Sequence, residues 1–242
     1  MVRPQFCALC LSICGAVLAG PPYVTDDPAP TDLGRWEIYQ FVAGSHVAGS
    51  TGGESGIDLN YGGARDVQLT CVIPLAYEKT DTLHAGLGVV ETAVKYRFLH
   101  QRDGGPALDV AFFPRVFWPT AAERFASSHV SVLLPLWAGR DFGSWSVFGG
   151  GGYQVNPGAG NLDYWLGGIA ITRSFGERAS LGAEMYHRAT DAVDGRPLTA
   201  VNLGASWMLA EHWSLLLSMG PGVQNADEEM KYGFYVSLKA DY

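Results

Sequence analysis

The last eleven residues alternate without a break: Tyr232, Phe234, Val236, Leu238, Ala240 and Tyr242 fall on one face, and Gly233, Tyr235, Ser237, Lys239 and Asp241 on the other. A period of two over this length describes a β-strand. One long apolar face on an unpaired strand at the rim of a water-soluble sheet would invite aggregation. Such a strand needs a sheet that closes on itself and a surrounding that welcomes apolar side chains. The pattern recurs along the chain. Val67, Leu69, Cys71, Ile73, Leu75 and Tyr77 oppose Gln68, Thr70, Val72, Pro74 and Ala76. Val90, Thr92, Val94, Tyr96 and Phe98 oppose Glu91, Ala93, Lys95 and Arg97, and Val130, Val132, Leu134 and Leu136 oppose His129, Ser131, Leu133, Pro135 and Trp137. Segments of about ten residues with this alternation are the signature of transmembrane β-strands.

The pattern predicts twelve strands, near 35–46, 55–62, 66–77, 87–98, 107–118, 128–139, 145–155, 163–173, 179–189, 198–209, 213–222 and 231–242. The facing of 163–173 stays open, because both of its faces are apolar or glycine. Short connections at 62–63, 141–144, 176–177 and 210–212 alternate with longer ones at 47–54, 78–86, 119–127, 190–197 and 223–230, as periplasmic turns alternate with outer loops. Aromatic residues collect at the strand ends, where lipid meets water. Trp36, Tyr61, Tyr96, Trp145, Trp207, Trp213 and Tyr242 mark the periplasmic end, and Tyr77, Trp118, Tyr153, Tyr164 and Tyr232 the outer end. A soluble sandwich would place its aromatic residues mid-strand. The expected fold is therefore all-β: a transmembrane antiparallel up-and-down β-barrel of twelve strands over residues 34–242. Composition agrees, since only 17% of residues are charged while 48% are apolar, against a usual charged share of about a quarter.

Residues 1–19 read as a cleaved signal peptide: Arg3 is followed by the apolar run Phe6–Ala19 and then by Gly20-Pro21-Pro22. The run is too short to span a bilayer as a helix. Ile13 is too bulky for the position before a lipidated Cys14. Cleavage would remove Cys7, Cys10 and Cys14 and leave Cys71 alone, so no disulfide framework is expected. Residues 20–33 form a Pro- and Asp-rich periplasmic lead, expected as a solvated linker, with folding back into the periplasmic mouth as the alternative. Acidic side chains outnumber basic ones, 24 to 16, which argues against nucleic acid as a partner.

The stretch Gly20-Pro21-Pro22-Tyr23-Val24-Thr25-Asp26-Asp27-Pro28, with Trp36-Glu37, Leu59-Asn60-Tyr61-Gly62 and Asp66-Val67-Gln68-Leu69, resembles a known group. It is similar to the outer-membrane β-barrel transporter family of the meta-pathway phenol-degradation type. Lys95-Tyr96-Arg97-Phe98, Gly149-Gly150-Gly151-Gly152-Tyr153 with Asn156-Pro157-Gly158, and Gln224-Asn225 extend the likeness over most of the mature chain. The resemblance implies an outer-membrane barrel with a passive transport role, and it implies no catalytic residue.

Alternation places Arg35, Glu37, Asp58, Glu91, Lys95, Arg97, Asp109, Arg115, Glu184 and Lys239 on the inward face as pore-lining candidates. Charges of both signs there can form a selective constriction or a mutually paired interior. Inward Tyr39, Phe41, Phe113, Phe117 and Trp137 can line a path for aromatic solutes or fill space. His129 and Ser131, two apart on a strand, would share a face as in a barrel lipid hydrolase, but they fall inside and have no convincing orienting residue. Gly149–Gly152 lacks the Lys-Ser or Lys-Thr of a phosphate loop and reads as a site of bending or close packing. The six histidines show no metal-ligand spacing, and no cofactor is expected. The expected partners are outer-membrane lipid, a small-molecule solute, and the barrel-assembly machinery acting on the strand that ends at Tyr242. The reading is a channel for small, aromatic or hydrophobic solutes. A hydrolase using His129 and Ser131, or a structural barrel without transport, are the alternatives.

Overall fold

The computed structural model describes residues 21–102, 107–125 and 129–242; the signal-peptide reading falls on residues 1–19, outside them. Among the described residues fourteen strand segments form one antiparallel sheet. They are β1 (Trp36–Val47), β2 (Ser50–Ala64), β3 (Val67–Lys79), β4 (Leu83–Leu87), β5 (Glu91–Leu99), β6 (Asp109–Phe112), β7 (Arg115–Phe117), β8 (Ser131–Phe142), β9 (Trp145–Val155), β10 (Tyr164–Phe175), β11 (Ala179–Arg188), β12 (Leu198–Ala210), β13 (Trp213–Gln224) and β14 (Tyr232–Asp241). β4 and β5 both pair with β3, and β6 and β7 both pair with β5 and β8, so each pair of segments is one interrupted barrel strand. The second interruption falls at Phe113-Pro114, where proline has no N–H to give the ladder. The result is a closed barrel of twelve strands. Closure runs from Glu37↔Asp241 to His46↔Tyr232, and Trp36 and Tyr242 exchange backbone hydrogen bonds of 2.8 and 3.0 Å. Each of the twelve strands thus pairs with a neighbour on both sides, as a lipid environment demands, although the β4 segment itself pairs only with β3.

The facing follows the alternation. Leu69, Ile73, Leu75, Val94, Phe98, Leu134, Leu136, Leu203, Leu217, Met219 and Val236 are exposed on the outside. Gln68, Thr70, Val72, Glu91, Lys95, Leu133, Trp137, Asn202, Ser218, Tyr235 and Ser237 are buried inside. An apolar band facing outward with polar groups inside is the inverse of a soluble barrel and marks a surface made for lipid. The open question at β10 resolves to Tyr164, Leu166 and Ala170 inward, with Trp165, Ile169 and Ile171 outward. Tyr164 therefore does not belong to the outer aromatic girdle. Trp165, 64% exposed and 5.1 Å from the Tyr153 ring, takes that place.

The connections also differ from expectation. β1 and β2 join through Ala48-Gly49 alone, with φ of 45° and 83°, the two left-handed residues of a tight hairpin turn. Gly- and Ser-rich residues 50–54, expected within the 47–54 loop, are instead held as strand by register with β1 and, from Thr51, with β3. β3 runs on to Lys79 and β4 starts at Leu83, so the expected 78–86 loop shrinks to residues 80–82.

The interior is not uniformly wet. Ala93, Phe113, Leu133, Trp137, Tyr164 and Leu166 pack into an apolar cluster on the inner wall. Leu133, at 0% exposure, and Leu134, at 44%, therefore answer differently to a charge. Leu134→Arg places a guanidinium against lipid and should cost about 2–4 kcal/mol. Leu133→Arg overfills a packed cluster and should cost at least as much. Urea titration of the detergent-folded barrel, read by the gel shift between boiled and unboiled protein, checks both. A Leu133→Arg variant as stable as wild type would mean that the cluster is loose and hydrated.

Candidate functional site: a lumen closed by the N-terminal lead

The lead is neither a linker nor outside the barrel. Residues 21–33 cross the lumen from the β11–β13 wall to the β3–β5 wall, with Tyr23, Thr25, Asp26 and Thr31 buried. A segment without secondary structure must find partners for its backbone polar groups, and the inner wall provides them. Glu184 accepts from Val24 N at 3.0 Å and from Thr25 N at 2.9 Å, and Asn202 Nδ2 donates to the same carboxylate at 2.8 Å. Ser218 Oγ donates to the Pro22 carbonyl. Lys95 Nζ lies 3.0 Å from Asp26 Oδ1 and also donates to the carbonyls of Asp27 and Ala29. Gln68 Oε1 accepts from Thr31 N and Thr31 Oγ1, while its Nε2 donates to Asn60 Oδ1 and Thr70 Oγ1. A bridge between Leu33 and Gly62 then leads the chain into β1.

Shape complements these bonds. A side chain at Gly204 or Gly182 would collide with the Tyr23 ring or hydroxyl at 2.4–2.7 Å, so the two glycines form a notch for that phenol. Burial, with the Glu184 carboxylate nearby, raises the Tyr23 phenol above its ordinary value and keeps it neutral. Burial likewise raises Asp27, with Lys95 opposing and Asp26 adding to the rise.

Of the ten charged candidates, most lie inside, but in specific pairs. Arg115 and Glu91 make a two-pronged ion pair, Nε–Oε1 at 2.6 Å and Nη2–Oε2 at 2.7 Å, both side chains buried. The Arg115 guanidinium sits 5.4 Å from the Phe113 ring centre and 5.8 Å from that of Phe117, and Lys95 lies 4.9 Å from Phe113. Lys239 pairs with Glu37 at 3.1 Å and Asp241 at 2.9 Å. Arg97 reaches Asp66 at 3.1 Å and Asp109 at 3.9 Å, near the end of the barrel where β1 begins and β14 ends. Asp58 is buried and accepts from Asn60 Nδ2 at 2.9 Å. Lys95 and Glu184 are bound to the lead. Arg35 is the exception: it is exposed in the turn before β1. Sequence reasoning missed Asp26, Glu54, Asn60 and Ser218. Glu54, Asn60 and Ser218 carry the inward parity of β2 and β13, whereas Asp26 stands in a segment with no periodicity.

His129 precedes β8, which starts at Ser131, so the two-residue spacing does not place the pair on one strand face. Among the described residues no cluster of His, Cys, Asp or Glu could hold a metal ion, and no helix is long and apolar enough to cross a membrane, which says nothing about strands. Beyond the lead, toward the loops 156–163, 189–197 and 225–231, the lumen holds a cavity of about 500 Å³ floored by Pro22–Thr25.

A closed transmembrane-type barrel of this kind has counterparts among solved structures. An outer-membrane channel from Pseudomonas putida F1 superposes with a TM-score of 0.71 at 13% identity, over 89% of this chain and 97% of that one. The translocator domain of the autotransporter NalP from Neisseria meningitidis gives 0.50 at 13% identity, over 88% and 89%. These similarities show the outer-membrane β-barrel fold, and the strand pairings give its twelve strands. No protein-family model matches the chain, and no curated protein matches it.

Proposed function

We propose that this protein is an outer-membrane channel for small solutes whose lumen is closed by its own N-terminal lead. The observation that carries the reading is the cavity that runs from the loops down to Pro22–Thr25 and stops at the lead. A structural barrel gains nothing from a removable floor, since its wall could be filled by its own side chains. Up to Asp32 the lead belongs to no ladder of the wall, Leu33 alone bridging to Gly62, so it can shift without unzipping a strand. The likeness in shape to the Pseudomonas putida F1 channel supports the same reading, as does the resemblance of the lead and β1–β3 motifs to the phenol-degradation transporters. In this scheme residues 1–19 direct export, the lead acts from the periplasmic side, and Glu37, Asp58, Glu91, Lys95, Arg115, Glu184 and Lys239 line the path once the lead moves. Arg97 and Asp109 flank its periplasmic rim.

Single-channel recording in planar bilayers tests the proposal. Wild-type protein should show long closed periods interrupted by discrete openings, and liposomes containing it should admit phenol-sized solutes. A preparation that stays silent and impermeable, while correctly folded by the gel-shift criterion, would rule the channel out.

A further inference from the structure

We infer that the cavity above the lead is a binding vestibule for small organic ammonium compounds with an aromatic or aliphatic body. The inference deepens the channel reading and rests on it for the direction of traffic. Glu78, Asp191, Asp194, Glu228 and Glu229 border the cavity, and among the described residues Arg188 is the guanidinium in its lining. Some of this charge is already paired. Arg188 holds Asp191 at 3.0 Å and Glu229 at 2.8 Å, Arg124 holds Glu78 at 3.1 Å, and Arg196 pairs with Glu228. Carboxylates still outnumber guanidiniums, and the excess sits where a solute enters from the loop side.

Below this rim the character changes. Half-buried Tyr186, backed by the more deeply buried Tyr23, Trp137, Tyr235 and Met230, lines the wall. Aromatic faces attract a cation and also take up an apolar body. The acidic rim and aromatic wall together select a molecule with one positive end and one apolar end. An anion of the same shape meets repulsion at the rim. A neutral analogue keeps only the wall contacts. The volume of about 500 Å³ lies within the usual range of small-molecule sites.

Calorimetric titration of the full-length protein in detergent, with phenethylamine, 2-phenylethanol and phenylacetate as probes, tests the inference. The three share a body and differ in charge. Phenethylamine should bind at least about tenfold tighter than phenylacetate at low salt, and the gap should narrow as salt rises. The double variant Asp194→Asn, Glu228→Gln should lose most of that preference without losing the folded gel shift. Equal binding of the three probes, tighter binding of phenylacetate, or no binding by any would overturn the vestibule assignment. Bilayer conductance of the same preparation is read separately. Conductance without amine preference leaves the channel standing and removes the vestibule, whereas amine preference without conductance removes the channel and keeps the site.

Discussion

Lys95→Met should turn a mostly closed barrel into a mostly open one. Asp26 is 1% exposed and its carboxylate is held by the Lys95 ammonium at 3.0 Å. Removing one partner of a buried ion pair costs about 3–5 kcal/mol, because the charge left behind is neither solvated nor compensated. When both partners belong to rigid elements, that cost appears as lost stability. Here Asp26 stands in a segment outside the ladder, and the lead can escape the penalty by leaving the lumen for water. Even about 3 kcal/mol would shift the ratio of open to closed barrels by roughly two orders of magnitude, at tenfold per 1.4 kcal/mol. Bilayer recordings of Lys95→Met should show a raised open probability, and deletion of residues 21–31 a sustained open level. Adding Asp26→Asn to Lys95→Met removes the stranded charge and should restore closure. Unchanged conductance in the deletion variant would mean that the lead does not obstruct the path.

This coupling was the least legible part of the chain, and the reason is physical. A strand in a lipid-facing barrel announces itself, because every second residue answers to lipid and every other one to the lumen. That constraint makes β3, β5, β8, β12 and β14 readable to within a few residues and fixes the inward position of Glu91, Lys95, Arg115 and Glu184. It weakens where both faces are small or apolar, as in β10, and where glycine and serine dilute the signal, as at residues 50–54. It is absent from a lead without a period. Nothing in Pro22–Thr31 names Glu184, Ser218, Lys95 and Gln68 as its partners, because those contacts join positions up to 196 residues apart. The glycines at 182 and 204 left a trace only as residues missing a side chain on an inward face. Their meaning as a notch for Tyr23 needs the three-dimensional path of the lead.

Glu91→Ala should destabilise the barrel by about 3–5 kcal/mol, and here no escape is open to the stranded charge. Arg115 is 2% exposed, its guanidinium lies beside Phe113 and Phe117, and it belongs to β7, which pairs with both β5 and β8. The ion pair also spans the short β7 segment, whose ladder is interrupted next to Pro114, so the side-chain clamp supplements a backbone with few bonds of its own. The matched double variant Glu91→Gln, Arg115→Met removes both charges and should recover most of the loss, since an apolar replacement of a buried pair is often neutral. Urea midpoints of the two variants in detergent, read by gel shift, make the comparison. If Glu91→Ala unfolds at the wild-type midpoint, water reaches Arg115, and the wall around β5–β8 is wetter than its packing implies. Should the single variant instead stay folded but conduct freely, the stranded guanidinium has pushed its neighbours outward. The ion pair would then belong with the lead as part of what holds the lumen closed.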